Sequence, residues 1–91
     1  MPARHFIING RVQGVFFRAE TQEKAKELNI TGWVNNCEDG AVEVHAEGIK
    51  EKLDTLEKWL QEGPPAAHVE EVKTKTIEEK HYSTFEVIYA A

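Results

Sequence analysis

The sequence predicts an α+β fold in which two helices cover one face of an antiparallel sheet. Three observations support this prediction: apolar residues alternate with polar ones in several short segments, two other segments show helical spacing, and turn residues separate them. The chain has 91 residues, of which 41% are hydrophobic and 30% are charged. These fractions are ordinary for a globular protein, and the length favours one core, because two smaller cores would bury too little surface.

The first strand and helix are indicated by a change of period near the N-terminus. A strand is predicted over residues 5–12, where Phe6, Ile8 and Val12 share one face. Residues 13–17 form a connection, and a helix is predicted over 18–28. The apolar side of this helix consists of Phe17, Thr21, Ala25 and Leu28.

A hairpin follows the first helix. A second strand is predicted to begin at Gly32, and Asp39-Gly40 is a strong turn signal because both residues tolerate positive φ. A third strand covers residues 41–47, where valine and alanine alternate with polar residues. His45 is one of the polar positions, and we expect it on the solvent face of the sheet.

The rest of the chain supplies one helix and two strands. Helical spacing of isoleucine and leucine runs from Ile49 to a stop near Gly63, a strand is expected over 69–77, and a short strand carries Phe85 and Tyr89. The order is therefore β-α-β-β-α-β with a short extra strand. This is the split βαβ, or ferredoxin-like, two-layer sandwich, a plan that serves many functions.

Charge and hydropathy exclude several classes of partner. The chain has 11 basic and 16 acidic residues, a net charge of −5, which argues against a nucleic-acid partner. No apolar run approaches the ~20 residues that a membrane span needs. The N-terminus has no apolar core before a small-residue cleavage site, so we expect a cytoplasmic protein that does not bind membranes.

Cysteine and histidine usage predicts no metal or other cofactor. Cys37 is the single cysteine, so neither an intrachain disulfide nor a four-cysteine zinc site can form. The four histidines are scattered, and none pairs with another at helical ligand spacing. Cys37 has no evident cationic neighbour that would lower its pKa, so it is not a candidate nucleophile.

Residues 10–18, with the sequence GRVQGVFFR, join the first strand to the first helix. The first N–H groups of a helix have no intrahelical partner and favour an anion, and Gly14 would let the loop curl so that these groups converge. Arg18 could then bind phosphate oxygens through two parallel hydrogen bonds. Taken alone, the residues favour a tight turn, with Phe16 and Phe17 packed beside it and Arg18 at the start of the helix. Neither known glycine-rich nucleotide-binding pattern is present.

Asn36 lies just before the hairpin turn, and asparagine is common where the backbone bends. Taken alone, its position favours turn chemistry over catalysis.

Two stretches together resemble the acylphosphatase family. GRVQGVFFR at 10–18 is similar to the family signature G-x-V-Q-G-V-x-F-R, and GWVNNCEDGAVEVHAEG at 32–48 resembles its second motif. The likeness continues through Trp59-Leu60, Gly63-Pro64-Pro65 and Val69, so it spans nearly the whole chain. The resemblance implies a single acylphosphatase-like domain over 1–91 that hydrolyses acyl phosphates.

The resemblance also implies roles for individual residues. Arg18 matches the catalytic phosphate-binding arginine, and Asn36 matches the catalytic asparagine that holds the attacking water. The phosphate cradle corresponds to the backbone amides of Gln13, Gly14, Val15, Phe16, Phe17 and Arg18. The implied enzyme is a monomer that acts on a small-molecule acyl phosphate without a metal. Asn35 and Cys37 depart from the residues that the family often has there, which bears on rate and substrate preference.

Two alternatives remain at this point. The first is a non-catalytic ferredoxin-like binding module, for example one that binds RNA through aromatic residues on the open face of the sheet. The second is an acylphosphatase-like accessory domain whose task lies within a larger assembly.

Overall fold

The computed structural model describes residues 1–89, so residues 90 and 91 of the predicted domain 1–91 lie outside the described part. The predicted order of helices and strands is confirmed, with ends that differ by one or two residues. The elements are β1 (Ala3–Arg11), α1 (Phe17–Glu27), β2 (Thr31–Asn36), β3 (Val42–Glu47), α2 (Lys50–Glu62), β4 (His68–Ile77) and β5 (Phe85–Ile88). No helix within residues 1–89 is long and apolar enough to cross a membrane.

The sheet has the strand order β4-β1-β3-β2-β5. The pairs β1–β3, β1–β4 and β2–β3 are antiparallel, as predicted. The prediction of a wholly antiparallel sheet is wrong at one edge, because β5 pairs with β2 in parallel. After β4 the chain crosses to the opposite edge of the sheet and arrives there in the direction of β2. Alternation of apolar residues predicts that a strand exists, but it does not tell which edge that strand joins.

The core lies between the sheet and the two helices. Apolar side chains of β1, β2, β3 and β5 face the apolar sides of α1 and α2, at the positions that the spacing predicted. Phe17 of α1 contacts Trp59 of α2, with ring centroids 5.9 Å apart and planes tilted by 56°. The largest buried apolar side chains are Phe6, Phe17, Phe85, Ile8, Leu53, Leu56 and Leu60.

A bulge at Asn9/Gly10 shapes the end of β1, where the connection to α1 begins. Gly10 has a φ of 133°, and a side chain there would collide with the backbone carbonyl oxygen of His68 in β4. Only glycine allows β4 to approach this closely, and the irregular pairing redirects the last residues of β1. The loop that follows therefore starts from a fixed position beside β4.

His45 is the second correction to the sequence-based expectations. Its side chain lies on the face of the sheet opposite the helices, yet the residue is only 4% exposed. The ring of Trp33 stacks on the imidazole at 5.9 Å, and the ring of Tyr82 meets it edge-on at 5.0 Å. Tyr82 belongs to the segment that joins β4 to β5, and this segment crosses the face that alternation alone assigns to solvent.

Glu47 holds that crossing segment in place. The residue is 2% exposed, and its carboxylate accepts hydrogen bonds from His45 Nε2 at 2.7 Å and from the backbone amides of Lys80 at 2.5 Å and Tyr82 at 3.1 Å. Burial alone would raise the pKa of Glu47, but the three hydrogen bonds outweigh it and hold the pKa below its ordinary value. The ionised carboxylate is therefore the form that the fold stabilises.

We predict that Glu47→Gln lowers the free energy of unfolding at neutral pH by about 1–3 kcal/mol, because an amide cannot accept all three bonds. The pKa of Glu47 is lower in the folded chain than in the unfolded chain. Its contribution is therefore complete above the unfolded value of ~4.3 and is lost as the pH falls through the folded value. Urea unfolding at a series of pH values measures both effects.

The matched control is Glu70→Gln, at an exposed position of β4. This variant should keep the parent stability and the parent acid sensitivity. Equal behaviour of the two variants would show that Glu47 does not anchor the crossing segment.

Candidate active site

The loop between β1 and α1 has two residues in the left-handed conformation. Gly14 has a φ of 73° and Phe16 has a φ of 62°. For phenylalanine this conformation costs roughly 1–2 kcal/mol, so the surrounding structure must impose it. Left-handed residues at alternate positions of a loop can turn the neighbouring N–H groups toward a common side, as in anion-binding nests.

The backbone amides of this loop are free of partners within the described chain. No N–H group from Gln13 to Arg18 donates to a backbone carbonyl of residues 1–89, and no side chain caps α1. The first amide bond of the helix runs from Glu20 to the carbonyl oxygen of Phe16, at 3.0 Å. The backbone N–H groups that precede Glu20 lie at the positive end of the helix dipole and can donate hydrogen bonds to an anion.

Arg18, in the first turn of α1, is held at the end of β5. Its Nη1 donates to the backbone carbonyl oxygen of Ile88 at 2.7 Å, and its guanidinium carbon lies 4.8 Å from the centroid of the Tyr89 ring. The hydrogen bond orients the guanidinium but uses only one of its five N–H donors. The others remain for an anionic ligand.

Asn36 is the last residue of β2. Strand alternation places it on the helix-facing side together with Val34, while Asn35 faces the other side. Its Oδ1 is buried and accepts no hydrogen bond from any residue of 1–89; the same holds for Asn35 Oδ1. A buried acceptor without a partner costs about 1–3 kcal/mol, so Asn36 Oδ1 favours a donor from a ligand or a water molecule.

Gln13 connects the loop to the hairpin that carries Asn36. Its side-chain Nε2 donates to the backbone carbonyl oxygens of Cys37 at 2.8 Å and of Ala41 at 2.9 Å. Sequence reasoning assigned Gln13 only a backbone amide and missed this bridge. Nothing in the local pattern points to it, because its two acceptors lie more than twenty residues away in the chain.

A cleft of about 260 Å³ brings these parts together. Both Arg18 and Asn36 line it, and so does Tyr89, which the sequence analysis treated only as a strand residue. The side chain of Gln13 is turned to the hairpin, and Val15 packs against the core. The residues that line the cleft are Val12, Gly14, Phe16, Phe17, Arg18, Ala19, Asn36 and Tyr89.

The other candidates for a reactive centre in residues 1–89 are the Cys37 thiol and clusters of potential metal ligands. Burial raises the pKa of the Cys37 thiol, and the carboxylates of Glu43 and Asp39 raise it further. The thiol is therefore protonated at neutral pH, in line with the expectation that it is no nucleophile. In the same residues, no group of three or more histidine, cysteine, aspartate or glutamate side chains is arranged to hold a metal ion.

Comparisons with known proteins agree on one family. The acylphosphatase family model matches residues 4–87. An acylphosphatase of Nitrosococcus oceani is 48% identical over 81 residues, which cover 89% of this chain and 91% of the relative.

Solved structures give the same result. The crystal structure of acylphosphatase from Bacillus subtilis superposes with a TM-score of 0.95 at 32% identity, over 98% of this chain and all of that one. The structure of an acylphosphatase from Coxiella burnetii gives a TM-score of 0.93 at 44% identity, over 96% of this chain and 92% of that one. On sequence and on fold alike, the chain belongs to the acylphosphatase family.

Proposed function

We propose that acyl phosphates are hydrolysed in the cleft between the β1–α1 loop and the end of β2, to a carboxylate and inorganic phosphate. Backbone amides 13–18 and Arg18 bind the phosphoryl group, and Asn36 orients the attacking water. One observation carries this proposal: three groups lie at the same cleft. They are the unpartnered backbone amides at the start of α1, the guanidinium of Arg18, and the buried side-chain Oδ1 of Asn36, which has no hydrogen-bond donor.

The charge of the phosphoryl group is matched by Arg18 and the amides. A planar guanidinium can donate two parallel hydrogen bonds to phosphate oxygens, and its bond to Ile88 orients it in advance. Donors fixed before the reaction need no reorganisation as charge develops, which is the main source of their effect.

Asn36 can serve as the water-orienting group because its Oδ1 is a free acceptor. A hydrogen bond from the water to this oxygen would fix the direction of attack on phosphorus. Phosphoryl transfer passes through a loose transition state with little bonding to the nucleophile, so positioning matters more than a strong base.

The leaving group explains why neither a carboxylate nor a histidine is needed among the residues that line the cleft. A carboxylic acid has a pKa near ~4, so the carboxylate leaves without receiving a proton. Phosphate monoesters, whose alkoxide leaving groups need protonation, should be poor substrates.

We further propose that one domain over 1–91 works as a cytoplasmic monomer, without a metal and without a nucleic-acid partner. The net charge of −5 supports the last point. Turnover in excess chelator and the mass of the protein in solution test the points about metal and oligomeric state.

We predict that Arg18→Gln reduces kcat/KM for acetyl phosphate by at least about 10²–10³, because both phosphate binding and charge stabilisation are lost. Arg18→Lys keeps the charge but not the planar fork and should recover only part of the rate. Steady-state phosphate release measures the effect. Arg11→Gln changes net charge equally at an exposed position and should stay close to the parent; near-parent activity of Arg18→Gln would refute the assigned role.

For Asn36→Ala we expect kcat to fall by about 10²–10³, while the inhibition constant of inorganic phosphate changes little. The reason is that Asn36 acts on water and not on the phosphoryl group. Asn35→Ala is a matched control, since it removes the neighbouring buried amide on the other face of β2. If both variants lost activity equally, the loss would reflect the strand and not the orientation of water.

Gln13→Ala should lower kcat by roughly tenfold or more, because the loop and the Asn36 hairpin would lose their bridge. A double-mutant cycle with Asn36→Ala separates positioning from general destabilisation. Once Asn36 is gone, loss of the bridge should cost little further activity. Fully additive effects on log kcat would show that Gln13 does not act through Asn36.

A further inference from the structure

The two most exposed large apolar side chains of residues 1–89 both line the cleft. Phe16 is 79% exposed and Tyr89 is 75% exposed. Single exposed apolar residues need no explanation, but exposed aromatic side chains gathered at one concave site usually mark a binding surface. Here that surface adjoins Arg18 and Asn36, the two residues assigned to the reaction.

Phe16 is exposed because its backbone conformation directs the side chain away from the core. Its neighbour Phe17 is 1% exposed and packs on Trp59, whereas Phe16 takes the left-handed conformation at the start of α1. Glycine, asparagine or aspartate would adopt this conformation at lower cost and would present no ring to water. The backbone thus holds an aromatic ring at the rim of the phosphate-binding loop.

Tyr89 is fixed at the rim by the arginine. Its ring lies beside the guanidinium of Arg18, at 4.8 Å from the guanidinium carbon to the ring centroid, and Arg18 also binds the preceding carbonyl of Ile88. A cation next to an aromatic face restrains both groups. The ring therefore has a defined place next to the group that would hold the phosphoryl oxygens.

The charges of the side chains that line the cleft indicate which acyl groups can bind there. Arg18 is the single Lys, Arg, Asp, Glu or His side chain that lines the cleft within residues 1–89, and the phosphoryl group already uses it. An acyl group with its own carboxylate would find no free opposite charge there, and removal of its hydration would not be compensated. An apolar, flat acyl group would instead bury its surface against two aromatic rings.

We propose that Phe16 and Tyr89 form an acyl-binding surface that selects acyl phosphates with apolar, above all aromatic, acyl groups over small or anionic ones. This inference rests on the proposed function of the same cleft. It concerns the half of the substrate that Arg18, Asn36 and the loop amides do not contact.

The test compares kcat/KM for benzoyl phosphate and acetyl phosphate in the parent protein and in variants. The benzoyl-to-acetyl ratio should fall by roughly three- to tenfold in Phe16→Ala and in Tyr89→Ala, in line with the loss of one aromatic contact. Comparison of one ratio between variants cancels the different intrinsic reactivities of the two substrates. Tyr89→Phe keeps the ring and should keep the ratio. Ile49→Ala removes an exposed apolar side chain that does not line the cleft and should also keep it.

The possible results separate this inference from the proposed function. If the parent hydrolyses neither substrate, the proposed function fails. If the parent hydrolyses both and the ratio is unchanged in Phe16→Ala and Tyr89→Ala, the acyl-binding surface is refuted while hydrolysis stands. If both variants weaken inhibition by inorganic phosphate and leave the ratio unchanged, the rings act only on the phosphate site, which also overturns the inference.

Discussion

The double hydrogen bond of the Gln13 side chain is the constraint on which the cleft depends. One amide nitrogen binds two carbonyl oxygens of the β2–β3 turn, those of Cys37 and Ala41. The loop that offers free amides is thereby fastened to the hairpin that carries Asn36. Under the mechanism proposed above, Asn36 must be placed to within a fraction of an ångström, so this bridge would matter more than its modest contribution to stability.

A second tether acts from the other side of the sheet. Glu47 holds the segment between β4 and β5 through two backbone amides, and β5 then runs parallel to β2 up to Ile88. The carbonyl oxygen of Ile88 accepts the hydrogen bond from Arg18. The buried carboxylate of Glu47, on the face of the sheet opposite the helices, is thus connected through the backbone of β5 to the orientation of the Arg18 guanidinium.

Sequence patterns predicted the parts of this protein that depend on local periodicity. The helices, the five strands and the core positions follow from apolar spacing, and the family motifs pointed to Arg18 and Asn36, which line one cleft. Apolar spacing could not predict three other features: the hydrogen bonds of the Gln13 side chain, the burial of His45 and the parallel pairing of β5. Each of them depends on a contact between residues distant in the chain, and none leaves a periodic signature.

The edge position of β5 has a consequence for how activity is lost. This strand has four residues, pairs with β2 alone, and ends at the carbonyl that orients Arg18. The end of an edge strand opens locally at a smaller free energy than the whole domain. Fraying of the last residues of β5, beyond the buried Phe85, would release the guanidinium while β1, β3 and both helices stay packed. Heat or mild denaturant should then abolish enzymatic activity before the helices unfold, so that helical secondary structure persists under conditions in which turnover is already lost.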